Sequence, residues 1–215
     1  SYQRLHHLLK EVFNLSISEG ALANLLSRVK ARLAAPLEEI QSRLQHSALI
    51  CSDETSARVQ GKTEWEWVFQ NEDVCFHVIC PSRGANVIYA VLGEHPTTTW
   101  VSDMFSAQRC HPGQQWQVCL AHQLRDTQYA IDAGDDLFAP AMKQLFLSAL
   151  AIHKRRDQLA DSTRYHYRLG ILRRFRQILA LAPDQADGQR LKKRYEAIPD
   201  NLFLILEDDS NQPTN

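Results

Sequence analysis

Residues 49–53 read Leu-Ile-Cys-Ser-Asp and residues 99–103 read Thr-Trp-Val-Ser-Asp. Each is a short apolar run of the kind a buried strand shows, and each closes on the same Ser-Asp pair. Working outward, Glu64–Gln70 (EWEWVFQ) alternates apolar and polar residues, with Trp65, Trp67 and Phe69 on one face. Val74–Cys80 (VCFHVIC) is a further strand, closed by Pro81. Ala85–Leu92 (ANVIYAVL) reads as a short helix ended by Gly93, Thr97–Val101 as a fourth strand and Gln115–Leu120 (QWQVCL) as a fifth. Three strands with short links, then helix and strand in alternation, predict a mixed sheet in an α/β domain.

The flanks are helical. Leu5, Leu8, Leu9, Val12 and Phe13 recur at helical spacing, and Ala21, Leu22, Leu25, Leu26, Val29 and Leu33 do so again after an interruption at residues 15–18. Ser16 with Glu19 predicts a capping box opening the second helix. The outline is that of a helix-turn-helix, or of an αα-hairpin packed on the rest of the protein. After Ala121 the strands stop. Leu137–Ile152 predicts a helix with Pro140 in its first turn. An amphipathic stretch runs on to Leu181, with Leu169, Leu172, Phe175, Ile178 and Leu179 on one side, and Gln189–Ala197 makes one more basic helix.

The chain has 215 residues, 24 Lys+Arg and 25 Asp+Glu, with 44% hydrophobic residues. These are ordinary globular proportions and exclude fibrous and disordered classes. No apolar run is long enough for a membrane helix and no signal peptide is read at the N-terminus, so a cytoplasmic protein without membrane partners is expected. Five scattered cysteines suit a reducing compartment better than a disulfide framework. The near-neutral total conceals an asymmetry. Residues 51–120 hold four basic and eight acidic residues, whereas residues 143–194 hold thirteen basic and four acidic ones. An acidic middle suits a cation-gathering centre and a basic later section suits a polyanion, although a solvated helical face has the same composition.

Asp53 and Asp103 carry the candidate chemistry. An Asp just past a buried strand projects at the carboxyl edge of a sheet, where α/β folds keep their ligands. Two converging carboxylates repel unless a divalent cation neutralises them, and Mg²⁺ is a hard ion that takes oxygen ligands. Such pairs support two-metal phosphoryl transfer, although each Asp alone could simply cap the next helix. Cys119-x-x-His122, with Cys110-His111 nearby, is a weak zinc match that lacks a full ligand set. Arg58, Lys62 and Arg83 flank the first carboxylate and are candidate phosphate contacts. Trp65 and Trp67 read as core residues, and Tyr165 and Tyr167 as helix-face residues, rather than as stacking platforms.

Four stretches together, DETSARVQGKTEWEWVF (53–69), PSRGANVI (81–88), WVSDMFSAQ (100–108) and VCLAHQLRD (118–126), resemble the transposases of the insertion sequence 66 family. LSISEGALANLL resembles the helix-turn-helix-like segment preceding their catalytic domain, and LFLILEDDSNQPTN resembles the stretch leading into their Asn-Asn-x-x-Glu-Arg motif. The resemblance implies a ribonuclease-H-like fold with an Asp-Asp-Glu site using Mg²⁺ (or Mn²⁺) as two ions. It implies double-stranded DNA, both transposon ends and target, as partner, and a homo-oligomer. Asp53 and Asp103 become the first two carboxylates. The Glu is expected a few residues beyond Asn215, with Glu207, Asp208 and Asp209 read as a polar turn instead.

The expected organisation is a helix-turn-helix-like segment (1–46), the first part of the catalytic core (47–122), a basic all-helical insertion (123–198) and a return towards the core (199–215). His122 and Arg125, at the end of the fifth strand, and Arg173, Arg174 and Arg176, in the insertion, join Arg58 and Arg83 as expected DNA contacts. The expected function is that of a DNA transposase fragment: the parent hydrolyses element ends and then transfers strands, whereas this chain alone, lacking the third carboxylate, is expected to bind metal weakly and turn over slowly or not at all. A DNA-binding or regulatory remnant without chemistry, and a ribonuclease-H-like nuclease that does not join ends, are the alternatives.

Overall fold

The computed structural model describes residues 1–93, 97, 99–110 and 113–207. The chain divides into two compact units, Ser1–Arg43 and Leu44–Asn215. In the first unit, α1 (Tyr2–Phe13) ends at Asn14 in the left-handed region (φ 54°), and α2 (Glu19–Arg32) follows. The predicted Ser16–Glu19 capping box is corrected here. Ser18 is the N-cap, its hydroxyl accepting from the Ala21 amide at 3.2 Å, and Glu19 is the first helical residue. There its charge complements the positive end of the helix dipole instead of reaching back to a cap. A second break, not read from the periodicity, falls at Leu33 and opens α3 (Ala34–Gln45), with Pro36 in the first turn, where a missing N–H costs little. Leu8, Val12, Phe13, Leu25, Leu26, Val29 and Leu33 are exposed, so the apolar stripe is largely uncovered in this chain.

The second unit is built on a five-stranded mixed sheet of order β3-β2-β1-β4-β5. Its strands are β1 (Leu49–Val59), β2 (Lys62–Gln70), β3 (Cys75–Cys80), β4 (Thr99–Ser102) and β5 (Gln115–Val118). The first three are antiparallel neighbours, while β4 runs parallel to both β1 and β5. Strands β1 and β2 meet at Gln60-Gly61, both with positive φ (49° and 79°), the geometry a two-residue hairpin needs to match strand twist. Trp67 and Phe69 are fully buried and stack with ring centroids 6.0 Å apart, as the alternation predicts, whereas Trp65 is only half-buried. After β3, α4 (Asn86–Leu92) buries Val87, Ile88, Val91 and Leu92 and stops at Gly93 (φ 67°).

One expectation about β1 is overturned. The apolar run ends at Cys51, but the strand does not: it continues for eight more residues as the antiparallel partner of β2. Only Leu49–Cys51 pair with β4. Ser52 onward has a strand neighbour on one side only, and burial fades from Asp53. Hydrophobicity therefore marks where β4 covers β1, not where β1 stops.

The later helices are α5 (Leu120–Asp132), α6 (Phe138–Lys154), α7 (Asp161–Leu179) and α8 (Ala186–Glu196). They share one core with the end of β5, in which Val118 and Leu120 join Phe138, Phe146, Phe175 and Tyr195. Asp135, 2% exposed, receives the amides of Leu137, Phe138 and Ala139 and so caps α6. On α7 the buried side is Ile171, Phe175 and Ile178, and Leu169 is exposed. Residues 199–206 fold as two 3-10 turns rather than continuing α8. Buried Gln117 holds this return: its Nε2 donates to the Leu202 carbonyl at 3.2 Å and its Oε1 accepts from the Ile205 amide at 3.2 Å. Asp208, Asp209, His111 and Thr98, named in the sequence, lie outside the described residues. No described helix is long and apolar enough to cross a membrane.

Candidate active site

The last parallel pair between the two central strands is Cys51 with Val101. Asp53 and Asp103 each stand two residues beyond that pair, at the carboxyl end of the parallel segment. Adjacent strands lie about 4.8 Å apart where they pair. Asp53 is within β1, and Asp103 directly follows β4. Both are half-buried.

Their side chains have different neighbours. Asp53 Oδ2 lies 3.9 Å from His122 Nε2, on the first turn of α5. Asp103 Oδ1 accepts from the Phe105 amide at 2.9 Å, tightening the loop after β4. His122 has its pKa raised, first by its hydrogen bond with Cys119 and then by the charges of Cys119 and Asp53, against burial and Arg125, which lower it. The thiol of Cys51 is pushed up to about 12 by burial, with Cys119 adding to it. Among the described residues no group of three or more His, Cys, Asp or Glu side chains is placed to hold a metal ion, so Cys119 and His122 gain no zinc partners there.

Glu54 is the residue that sequence reasoning missed. It follows Asp53 in β1, so its side chain leaves the opposite face of the strand. That side chain is 1% exposed. Its carboxylate accepts from Arg83 Nε at 3.1 Å and Nη2 at 2.9 Å, and from Gln108 Nε2 at 2.5 Å. The Arg83 guanidinium in turn lies over Trp65 (4.4 Å to the ring centroid) and Phe105 (3.9 Å). The Glu54 pKa is raised by burial foremost, with Gln108 and Arg83 opposing and Asp103 adding to the rise. Asp103 is therefore felt by Glu54, and the cluster joins β1, the segment after β3 and the loop after β4. The signal was present in DET, PSRG and SAQ, but nothing in spacing alone joins residues 29 and 54 positions apart.

The remaining arginines divide by environment. Arg58 is exposed and donates to Thr63 Oγ1 at 2.8 Å, across the hairpin. Arg125, Arg173, Arg174 and Arg176 are exposed. Arg83 keeps part of its surface open (41% of the side chain) while engaged with Glu54.

The family model for Transposase IS66 family matches residues 1–215, the whole chain. The chain belongs to the IS66 transposase family. No curated protein matches it. In this IS66-family chain the four motif stretches come from separate parts of the sequence. Asp53 and Glu54 within β1, Arg83 after β3, Asp103 and Gln108 after β4 and His122 on α5 are brought near one another by the contacts given above. Membership makes the chain a transposase-family protein, for which DNA is the partner.

Proposed function

We propose that this chain carries two of the carboxylates, Asp53 and Asp103, of the catalytic centre of a DNA transposase, which performs divalent-metal-dependent phosphodiester hydrolysis at transposon ends followed by strand transfer. The observation that supports the proposal is that Asp53 and Asp103 each stand two residues beyond the last pair of the neighbouring parallel strands β1 and β4, in a chain matched over its whole length by the family. The ribonuclease-H-like assignment is supported by three antiparallel strands followed by two strands parallel to the first.

The residues suit Mg²⁺ or Mn²⁺. Two half-exposed carboxylates offer hard oxygen donors to an ion that keeps several waters and takes one or two carboxylates plus substrate phosphates. The Cys51 thiol is no rival, because burial pushes its pKa up to about 12. When bound, divalent metal supplies a lowered pKa for the attacking water or hydroxyl and a counter-charge for the leaving oxygen. Asp53 and Asp103 would hold it. His122, 3.9 Å from Asp53 and with its pKa raised by Cys119 and Asp53, is a candidate proton donor and phosphate contact beside the carboxylates. Arg125 and the exposed face of Arg83 add backbone contacts near the carboxylates, Arg58 adds one at the β1–β2 hairpin, and Arg173, Arg174 and Arg176 add contacts further along the helical block. Glu54, through Arg83 and Gln108, keeps β1 and the Asp103 loop in fixed relation.

The test is Mn²⁺ binding by calorimetry together with nicking and strand-transfer assays on a transposon-end duplex in Mg²⁺. Asp53→Asn and Asp103→Asn should each weaken Mn²⁺ binding at least about tenfold and remove cleavage. Undiminished Mn²⁺ binding in both variants would reject the metal site and favour a DNA-binding remnant; cleavage without joined products would favour a plain nuclease.

A further inference from the structure

A cavity of about 670 Å³ opens among the end of α6, the start of α7, the first residue of β5 and the turn at Leu204–Leu206, away from the residues assigned above. Its volume is in the range of small-ligand sites. Three arginines line it, Arg156, Arg164 and Arg168. Two are paired: Arg164 with Asp161, and Arg168 with Glu207. Arg156 is less compensated. Its nearest acidic partner, Asp157, is 3.7 Å away and 86% exposed, where water screens the pair. The buried Nε of Arg156 has no hydrogen-bond partner among the described residues.

This arginine is also fixed in place. His153 is 8% exposed, and its Nδ1 lies 3.1 Å from the Ile205 carbonyl, an acceptor only, so Nδ1 carries the proton. Nε2 then accepts from Arg156 Nη1 at 2.5 Å. A buried histidine thus sets the tautomer and the direction of a cation at the cavity wall. Tyr165, also lining the cavity, is 55% exposed and meets the His166 ring edge to face, centroids 6.1 Å apart. A fixed guanidinium beside an exposed aromatic is the pairing with which proteins hold the phosphate and base of an unpaired nucleotide. The exposed Arg173, Arg174 and Arg176 further along α7 continue the positive charge, as suits a strand rather than a free nucleotide.

We infer that this cavity binds one nucleotide unit of a single-stranded nucleic-acid segment, its phosphate on Arg156 and Arg164 and its base on Tyr165. Binding of a fluorescein-labelled oligothymidylate of about a dozen nucleotides, followed by anisotropy in EDTA, tests this independently of the metal site; a dead Asp53–Asp103 centre leaves the readout untouched. Arg156→Gln and Arg164→Gln should each weaken binding about tenfold, and Tyr165→Leu at least about fivefold. Arg190→Gln, on α8, should change it less than about twofold, with unfolding midpoints close to the parent in every variant. The inference is overturned if Arg156→Gln and Arg164→Gln bind no more weakly than Arg190→Gln. It is overturned also if Tyr165→Leu binds like the parent, which marks a plain anion site, or if thymidine monophosphate competes as strongly as the oligonucleotide, which marks a free-nucleotide site.

Discussion

A carboxylate whose side chain is 1% exposed, as that of Glu54 is, loses most of its hydration, and three hydrogen bonds from Arg83 and Gln108 replace only part of it. Its pKa therefore stands above the ordinary 4.5, with burial the largest cause. A raised native pKa means that the folded chain holds this proton more tightly than the unfolded one. The group's contribution to stability is then complete below 4.5 and is lost as pH climbs through the raised value. Glu54→Gln should consequently flatten the fall of the unfolding midpoint with pH in the window opening at 4.5. An unaltered profile in that window would mean that Glu54 titrates alike in both states. His122 acts with the same sign from its ordinary 6.5 upward, through its bond with Cys119, so the two windows are distinguishable by their starting points.

Among the elements, the junction of α6 with α8 shows how a single contact sets geometry. Asp135 caps α6 with three amide hydrogen bonds, and Gly188 on α8 makes room for that carboxylate: a Cβ there would lie 2.6 Å from the Asp135 carboxyl carbon. Gly188→Ala should destabilise the chain by about 1–3 kcal/mol, and Asp135→Ala by about 1–2 kcal/mol, in urea unfolding. The double variant should cost less than the sum, because removing the carboxylate also removes the clash. Additive losses would show that the two residues act separately. Sequence periodicity supplied these helices, including Pro140 in the first turn of α6, since burial on one face imposes a repeat. It did not supply the cap, because Asp135 and Gly188 are 53 positions apart and neither departs from ordinary turn and helix composition.

For the whole molecule, charge distribution carries the prediction. Arg173, Arg174 and Arg176 are exposed on α7, within a region holding thirteen basic and four acidic residues. If they meet duplex DNA, replacing all three with Gln should lower affinity and reduce the slope of log affinity against log salt by up to about 0.9 per lost contact. An unchanged slope would show that these side chains face solvent or protein. Most strands, α6 to α8 and the acidic middle were legible from alternation, periodicity and charge, because each is imposed by neighbours close in sequence; α5 was not, its first residue Leu120 reading as the end of the fifth strand. The capping residue of α2, the break at Leu33 and the true length of β1 were not. The first two depend on which of several adjacent polar or small residues the backbone turns at, and the third on where β4 stops covering β1. Local pattern and family likeness, both written along the chain, marked an α/β transposase-family protein and pointed to Asp53 and Asp103. The buried cluster of Glu54, Arg83 and Gln108, and the holding of Arg156 by His153 at a cavity wall, emerged from folding alone. Those contacts join residues from separate elements, and their energies exist only once folding has excluded water between them.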